Sequence, residues 1–101
     1  MKVTAFLATF LLSGAVSARV FTLWEDINYG GAGWQETRLD DSACWNLNGK
    51  GDSASSVTGF IGCTTFYRER DCSGASWKNW GNAKTVPDFL NDHIWSFRNQ
   101  C

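Results

Sequence analysis

Proline, histidine and methionine each occur once in these 101 residues, and each scarcity narrows what the chain can be. A single proline, Pro87, excludes a polyproline spacer or a proline-rich ligand segment. With His93 as the only histidine, there is no imidazole cluster for a metal, and no motif sets a nucleophile beside it. Charge is sparse as well. The formal net charge is −1, and no basic cluster exceeds the separated pair Arg68 and Arg70. A chain so balanced has no overall electrostatic grip on phosphate backbones or anionic lipid, which disfavours nucleic-acid binding and a membrane mechanism driven by charge. Long apolar runs are missing too: the mostly apolar stretch from Val3 to Leu12 is about half of the ~20 residues a bilayer crossing needs.

That stretch marks residues 1–18 as a secretory signal peptide. Lys2 precedes it and small residues follow up to Val16-Ser17-Ala18, which suits cleavage before Arg19. Residues 19–101 are then expected to be one exported, mildly acidic domain, since Lys2 leaves with the leader. So small a domain buries a limited core and often needs covalent support. All four cysteines, Cys44, Cys63, Cys72 and Cys101, lie in it. Export to an oxidising compartment and the lack of a close Cys-x-x-Cys pair favour two disulfides over a thiolate metal site. Spacing alone leaves three pairings open.

Glycine and small polar residues punctuate the chain at Gly30-Gly31, Asn46 to Asp52, Gly59, Gly62, Ser73-Gly74 and Gly81-Asn82. Short aromatic and β-branched runs between such frequent turns read as an all-β sandwich. The strands are expected at 20–25, 33–38, 43–47, 56–61, 63–68, 75–80, 84–87 and 94–99, with one helical turn around Pro87 to Leu90. One phrase organises this pattern. Trp24-Glu25-Asp26-Ile27-Asn28-Tyr29-Gly30-Gly31 is answered forty-three residues later by Tyr67-Arg68-Glu69-Arg70-Asp71-Cys72-Ser73-Gly74. Each copy is followed by a tryptophan-led strand, and the two halves end in Asp52-Ser53-Ala54-Ser55-Ser56-Val57 and Asp92-His93-Ile94-Trp95-Ser96-Phe97. A repeat of this kind means two copies of one supersecondary unit packed together. In the first copy Tyr29 is expected to lie on Trp24, with Gly31 supplying a positive φ for the tight return.

The aromatic-Glu-x-x-x-aromatic-x-Gly phrase with its late Asp-x-x-Ser-Ser resembles the βγ-crystallin superfamily over nearly all of residues 19–101. The resemblance implies two four-stranded Greek keys paired as one sandwich. It implies that Gly31 and Gly74 close folded hairpins, and that Ser56 and Ser96 tie the last strand of each motif to its hairpin. Trp24, Glu25 and Tyr29 carry the first motif. In the second, Tyr67 matches, whereas Arg68 replaces an acid and Cys72 replaces an aromatic. The Greek key register so implied sets Cys63 against Cys101, leaving Cys44 for Cys72. It also implies where calcium would bind: Asp52 and Ser55 in one stretch, Asn91 and Asp92 in the other, although Gly51 and Trp95 replace oxygen ligands of the family pattern.

Enzymatic chemistry has little to stand on. The adjacent carboxylates Glu25-Asp26 and Asp40-Asp41 point to opposite faces of a strand, and a glycosidase needs a cleft that so small a sandwich lacks. No cofactor is expected. Of the six tryptophans, Trp24, Trp34, Trp77 and Trp95 are expected in the core, and Trp45 and Trp80 at the surface. The expected function is that of a secreted, monomeric, non-enzymatic protein of antimicrobial, killer-toxin-like or effector type, without stable membrane insertion. The alternatives are a metalloproteinase inhibitor presenting the loop Asn46 to Asp52, or a calcium-binding structural protein.

Overall fold

Residues 18–59 and 61–101 are described by the computed structural model; apart from Ala18, the expected leader lies outside them. Among the described residues seven strands follow in order: β1 Ala18–Asp26, β2 Gly30–Leu39, β3 Cys44–Asn46, β4 Ser56–Thr58, β5 Thr64–Glu69, β6 Ser73–Asn79 and β7 Ser96–Arg98. Alternation along β1 sends Arg19, Phe21 and Leu23 inward and leaves Val20 exposed, the period-2 pattern of a half-buried strand. Two antiparallel sheets result, ordered β2-β1-β4 and β3-β7-β5-β6.

Each half of the chain lends one segment to the other half's sheet. From the first half, β3 pairs with β7. From the second, Ala83 joins β4 through an isolated bridge, exchanging both backbone hydrogen bonds with Val57 at 3.0 Å. This is an all-β pair of Greek keys. The strand expected at 84–87 is not formed; the bridge lies one residue earlier, at Ala83. The Lys84 carbonyl turns to the Asn28 N–H, Val86 donates to Ser55, and the chain enters a turn in which Leu90 and Asn91 both donate to the Pro87 carbonyl.

The core is aliphatic and phenylalanine-based. Phe21 of the first sheet meets Phe97 and Phe66 of the second edge-on, at 5.0 and 5.6 Å between ring centroids, an arrangement that aligns ring edges with faces. Leu23, Leu47, Val57, Leu90 and Ile94 complete it. The tryptophans expected there sit at its margin instead. Trp34 and Trp77 pack against the core only partly buried, and the Trp24 ring lies on Gly33 across the strand pair, not on Tyr29, with its N–H donated to Thr58. An indole is too large for the narrow space between two short sheets, and at the rim the Trp24 N–H reaches the Thr58 hydroxyl.

Both disulfides are formed, Cys44–Cys72 and Cys63–Cys101, with Cα separations of 6.0 and 5.8 Å. They close loops spanning 28 and 38 residues, each adding roughly 4 kcal/mol in the chain-entropy model. Arg19 does comparable work without covalency. Its buried guanidinium donates to Asp40, to the Cys63 and Asn99 carbonyls and to Thr64, so one side chain joins the first strand to the start of β5 and the end of β7.

Removing the buried guanidinium would leave the Cys63 and Asn99 carbonyls unpaired. Arg19→Met is therefore expected to lower unfolding free energy by about 2 kcal/mol or more, whereas Arg68→Met at the surface changes it by about 0.5 kcal/mol or less. Urea unfolding with the disulfides oxidised checks both.

Candidate functional site

The two hairpins have the same backbone. Asn28 and Asp71 have φ of 57° and 58°, Tyr29 and Cys72 have 63° and 55°, and Gly31 and Gly74 have 76° and 80°. Three left-handed residues in each turn are locally unfavourable for all but glycine, so something outside the hairpin must hold them. One hydroxyl does so in each motif. Ser56 Oγ donates to the Asp26 carbonyl at 2.6 Å and accepts the Tyr29 N–H at 3.0 Å. Ser96 Oγ bridges the Glu69 carbonyl and the Cys72 N–H in the same way. The second hairpin has the Cys44 bond in addition. Here Trp24, Glu25 and Tyr67 take strand positions rather than site positions.

Behind the hairpins the stretches 51–56 and 91–96 interleave. The Asp92 N–H goes to the Ala54 carbonyl, and the Ile94 N–H to that of Gly51. Gly51 is required by this closeness, because a Cβ would overlap the Ile94 carbonyl oxygen. The side chains of Ser55 and Asp92 meet, with 3.4 Å between Oγ and Oδ1. Asp52 stands apart, exposed, and Asn91 is half-buried beside them. A calcium ion takes roughly six to eight oxygens. Ser55, Asp92 and nearby carbonyls fit part of that need. At the corresponding place in the second stretch, Trp95 supplies an indole, and the Arg70 guanidinium sits over its ring at 5.2 Å. A cation of the chain's own already lies there, which opposes a second ion. Among the described residues no three His, Cys, Asp or Glu side chains converge, and His93 is exposed.

Two inward-facing charges were not foreseen. Arg19 has the network above, and Glu36, only 3% exposed, pairs with Lys50 at 3.1 Å and Arg38 at 3.5 Å. Strand parity was the available signal, since Arg19 shares the face of Phe21 and Glu36 that of Trp34. The loop Asn46 to Asp52 also differs from the exposed loop expected: Leu47 is buried and donates its N–H to Trp95, Lys50 closes a turn onto Leu47, and Gly51 is buried. At the opposite end of the sandwich, Ile61 and Trp80 are 83% and 64% exposed; Trp45, at 37%, carries Arg38 on its ring.

No family model and no curated protein matches the sequence. Solved structures do resemble the fold. A double mutant of a βγ-crystallin domain from Clostridium beijerinckii is 25% identical, covering 79% of this chain and 94% of that one with a TM-score of 0.64. A βγ-crystallin from Ciona intestinalis is 24% identical, covering 80% and 99%, at 0.64, and a βγ-crystallin domain from Flavobacterium johnsoniae is 26% identical, covering 77% and 90%, at 0.60.

With one partial oxygen set, calcium is expected to act weakly. At a concentration near its dissociation constant the melting temperature rises by about 2 °C, and the rise disappears in Asp92→Ala but persists in Asp52→Ala. Thermal unfolding in calcium and in chelator checks this; a larger rise that depends on Asp52 would contradict it.

Proposed function

We propose that this chain, which has the βγ-crystallin fold, is a secreted, non-enzymatic domain that acts on a competing or host cell as an antimicrobial, killer-toxin-like or effector protein. The fold itself supports a non-enzymatic structural scaffold, and function lies in what its surface presents. Two disulfides fit an oxidising, extracellular setting, and among the described residues no helix is long and apolar enough to cross a membrane.

The observation that carries the reading is the exposure of Ile61 and Trp80 on a covalently braced body. Exposed apolar groups that share one surface are the kind of feature through which a protein meets a target. Rigidity lowers the ordering cost of such an encounter. Protease inhibition draws less support, because an inhibitory loop must enter the enzyme's cleft, and the stretch Asn46 to Asp52 is folded back with Leu47 in the core. The calcium-binding structural reading rests on Ser55 and Asp92 alone.

Growth assays against bacteria and fungi, run beside a metalloproteinase inhibition panel, separate these readings. The purified secreted protein is expected to inhibit growth of some target cells and no protease. Protease inhibition without growth inhibition would reverse the order.

A further inference from the structure

We propose that the Cys63–Cys101 disulfide is a thiol-exchange site, at which a small monothiol of the glutathione class attacks Cys101 and remains bonded to it while Cys44–Cys72 stays closed. The inference goes beyond the reading above and does not depend on what the exported protein acts on.

The two disulfides differ in access and in what surrounds them. Of the four cysteines Cys101 alone is exposed, the other three being half-buried. Exchange needs a thiolate to approach one sulfur in line with the bond while the other sulfur leaves, so the accessible residue is the one attacked. At Cys44–Cys72 neither residue is exposed. Cys72 is held in the hairpin, its N–H bound to Ser96 Oγ at 2.9 Å and its sulfur 3.4 Å from the Phe97 carbonyl oxygen, against which negative charge on that sulfur is disfavoured. Arg98 faces Cys44 in the β3–β7 register and would favour charge there, but the attacking thiolate would then have to reach Cys72.

At the other bond, access and charge select the same direction. The Arg19 guanidinium donates to the Cys63 carbonyl and, through its second nitrogen, to the Thr64 hydroxyl, so a positive charge stands beside the residue whose sulfur would leave. A neighbouring cation favours thiolate over thiol and makes that sulfur the better leaving group. Asp40, 3.2 Å from the same guanidinium but 44% exposed, offsets the charge only in part. In the step itself the attacking thiolate forms a bond to Cys101 Sγ and the Cys63–Cys101 bond breaks. Cys63 Sγ leaves with the electron pair and takes up the proton that the small thiol released, so one disulfide replaces another with no net oxidation. Opening is local, because Asn99 anchors the chain just before the bond. Its carbonyl accepts from Arg19, and its side chain accepts from Thr64 and donates to the Leu39 carbonyl. Only Cys101 and Gln100, whose carbonyl accepts from Thr65, are loosened.

The test is incubation of the secreted, disulfide-bonded protein in graded mixtures of reduced and oxidised glutathione, then acid quenching, alkylation and peptide mapping, with near-ultraviolet circular dichroism reporting the fold. Glutathione is expected on Cys101, with Cys63 alkylated and the fold retained, at a thiol concentration about tenfold below that which opens Cys44–Cys72. In Cys101→Ser the free Cys63 thiol is expected to ionise below the ordinary thiol range, read from its alkylation rate against pH. Adding Arg19→Met should move it up, whereas Arg19→Lys, which keeps the charge, should hold it low. Glutathione on Cys63, or Cys44–Cys72 opening first or at the same concentration, would overturn the proposal. So would loss of the fold together with the Cys63–Cys101 bond, a Cys63 thiol that ionises in the ordinary range, or neither bond exchanging in the folded protein.

Discussion

A single serine hydroxyl in each motif carries a constraint on which the rest of the sandwich depends. The hairpins that fold over the sheets hold three consecutive or near-consecutive residues in the left-handed region, and a non-glycine residue there costs on the order of 1–2 kcal/mol. Ser56 and Ser96 offset that cost by accepting one hairpin N–H and donating to one hairpin carbonyl. Because each serine belongs to the last strand of its motif, the hairpin is tied to the strand that closes the Greek key. The interleaving of 51–56 with 91–96, and the meeting of Ser55 with Asp92, follow from that closure.

The two copies meet the same constraint with different resources. In the first, Trp24 covers Gly33 and donates to Thr58, so ring packing supports the tie. In the second, Cys72 occupies the place of Tyr29 and is bonded to Cys44 of the exchanged strand β3. That disulfide anchors the second hairpin to a strand from the first half of the chain, so the halves are joined covalently as well as through the Phe21, Phe66 and Phe97 rings. At the other end, Cys63–Cys101 and the Arg19 network gather the strand ends. With both ends held internally, Ile61 and Trp80 are free to face outward.

Much of this was legible in the sequence because two signals agreed. Alternation in Val20 to Trp24 gave the strand, and the repeat of aromatic, acid and glycine gave the hairpins and their pairing. The third strand of the second motif was less legible. Residues 84–87 have strand-like composition, yet their hydrogen bonds go to Asn28 and Ser55 across the molecule, which no local pattern records. Burial of tryptophan was overestimated because ring size favours burial only where space exists, and the space between these short sheets is filled by phenylalanine. At the calcium stretches the sequence showed which oxygens were missing. It did not show that Arg70 lies over Trp95, a contact between residues in different turns.

The most direct measurement of the serine tie is amide hydrogen exchange at Tyr29 and Cys72. If Ser56 holds the first hairpin, the Tyr29 amide is protected well above the exposed amide of Asn48, and Ser56→Ala brings it down to that level. Cys72, restrained by its disulfide, should lose less protection in Ser96→Ala. A Tyr29 amide that exchanges as fast as a free loop, or one whose protection is the same in Ser56→Ala, would contradict the tie.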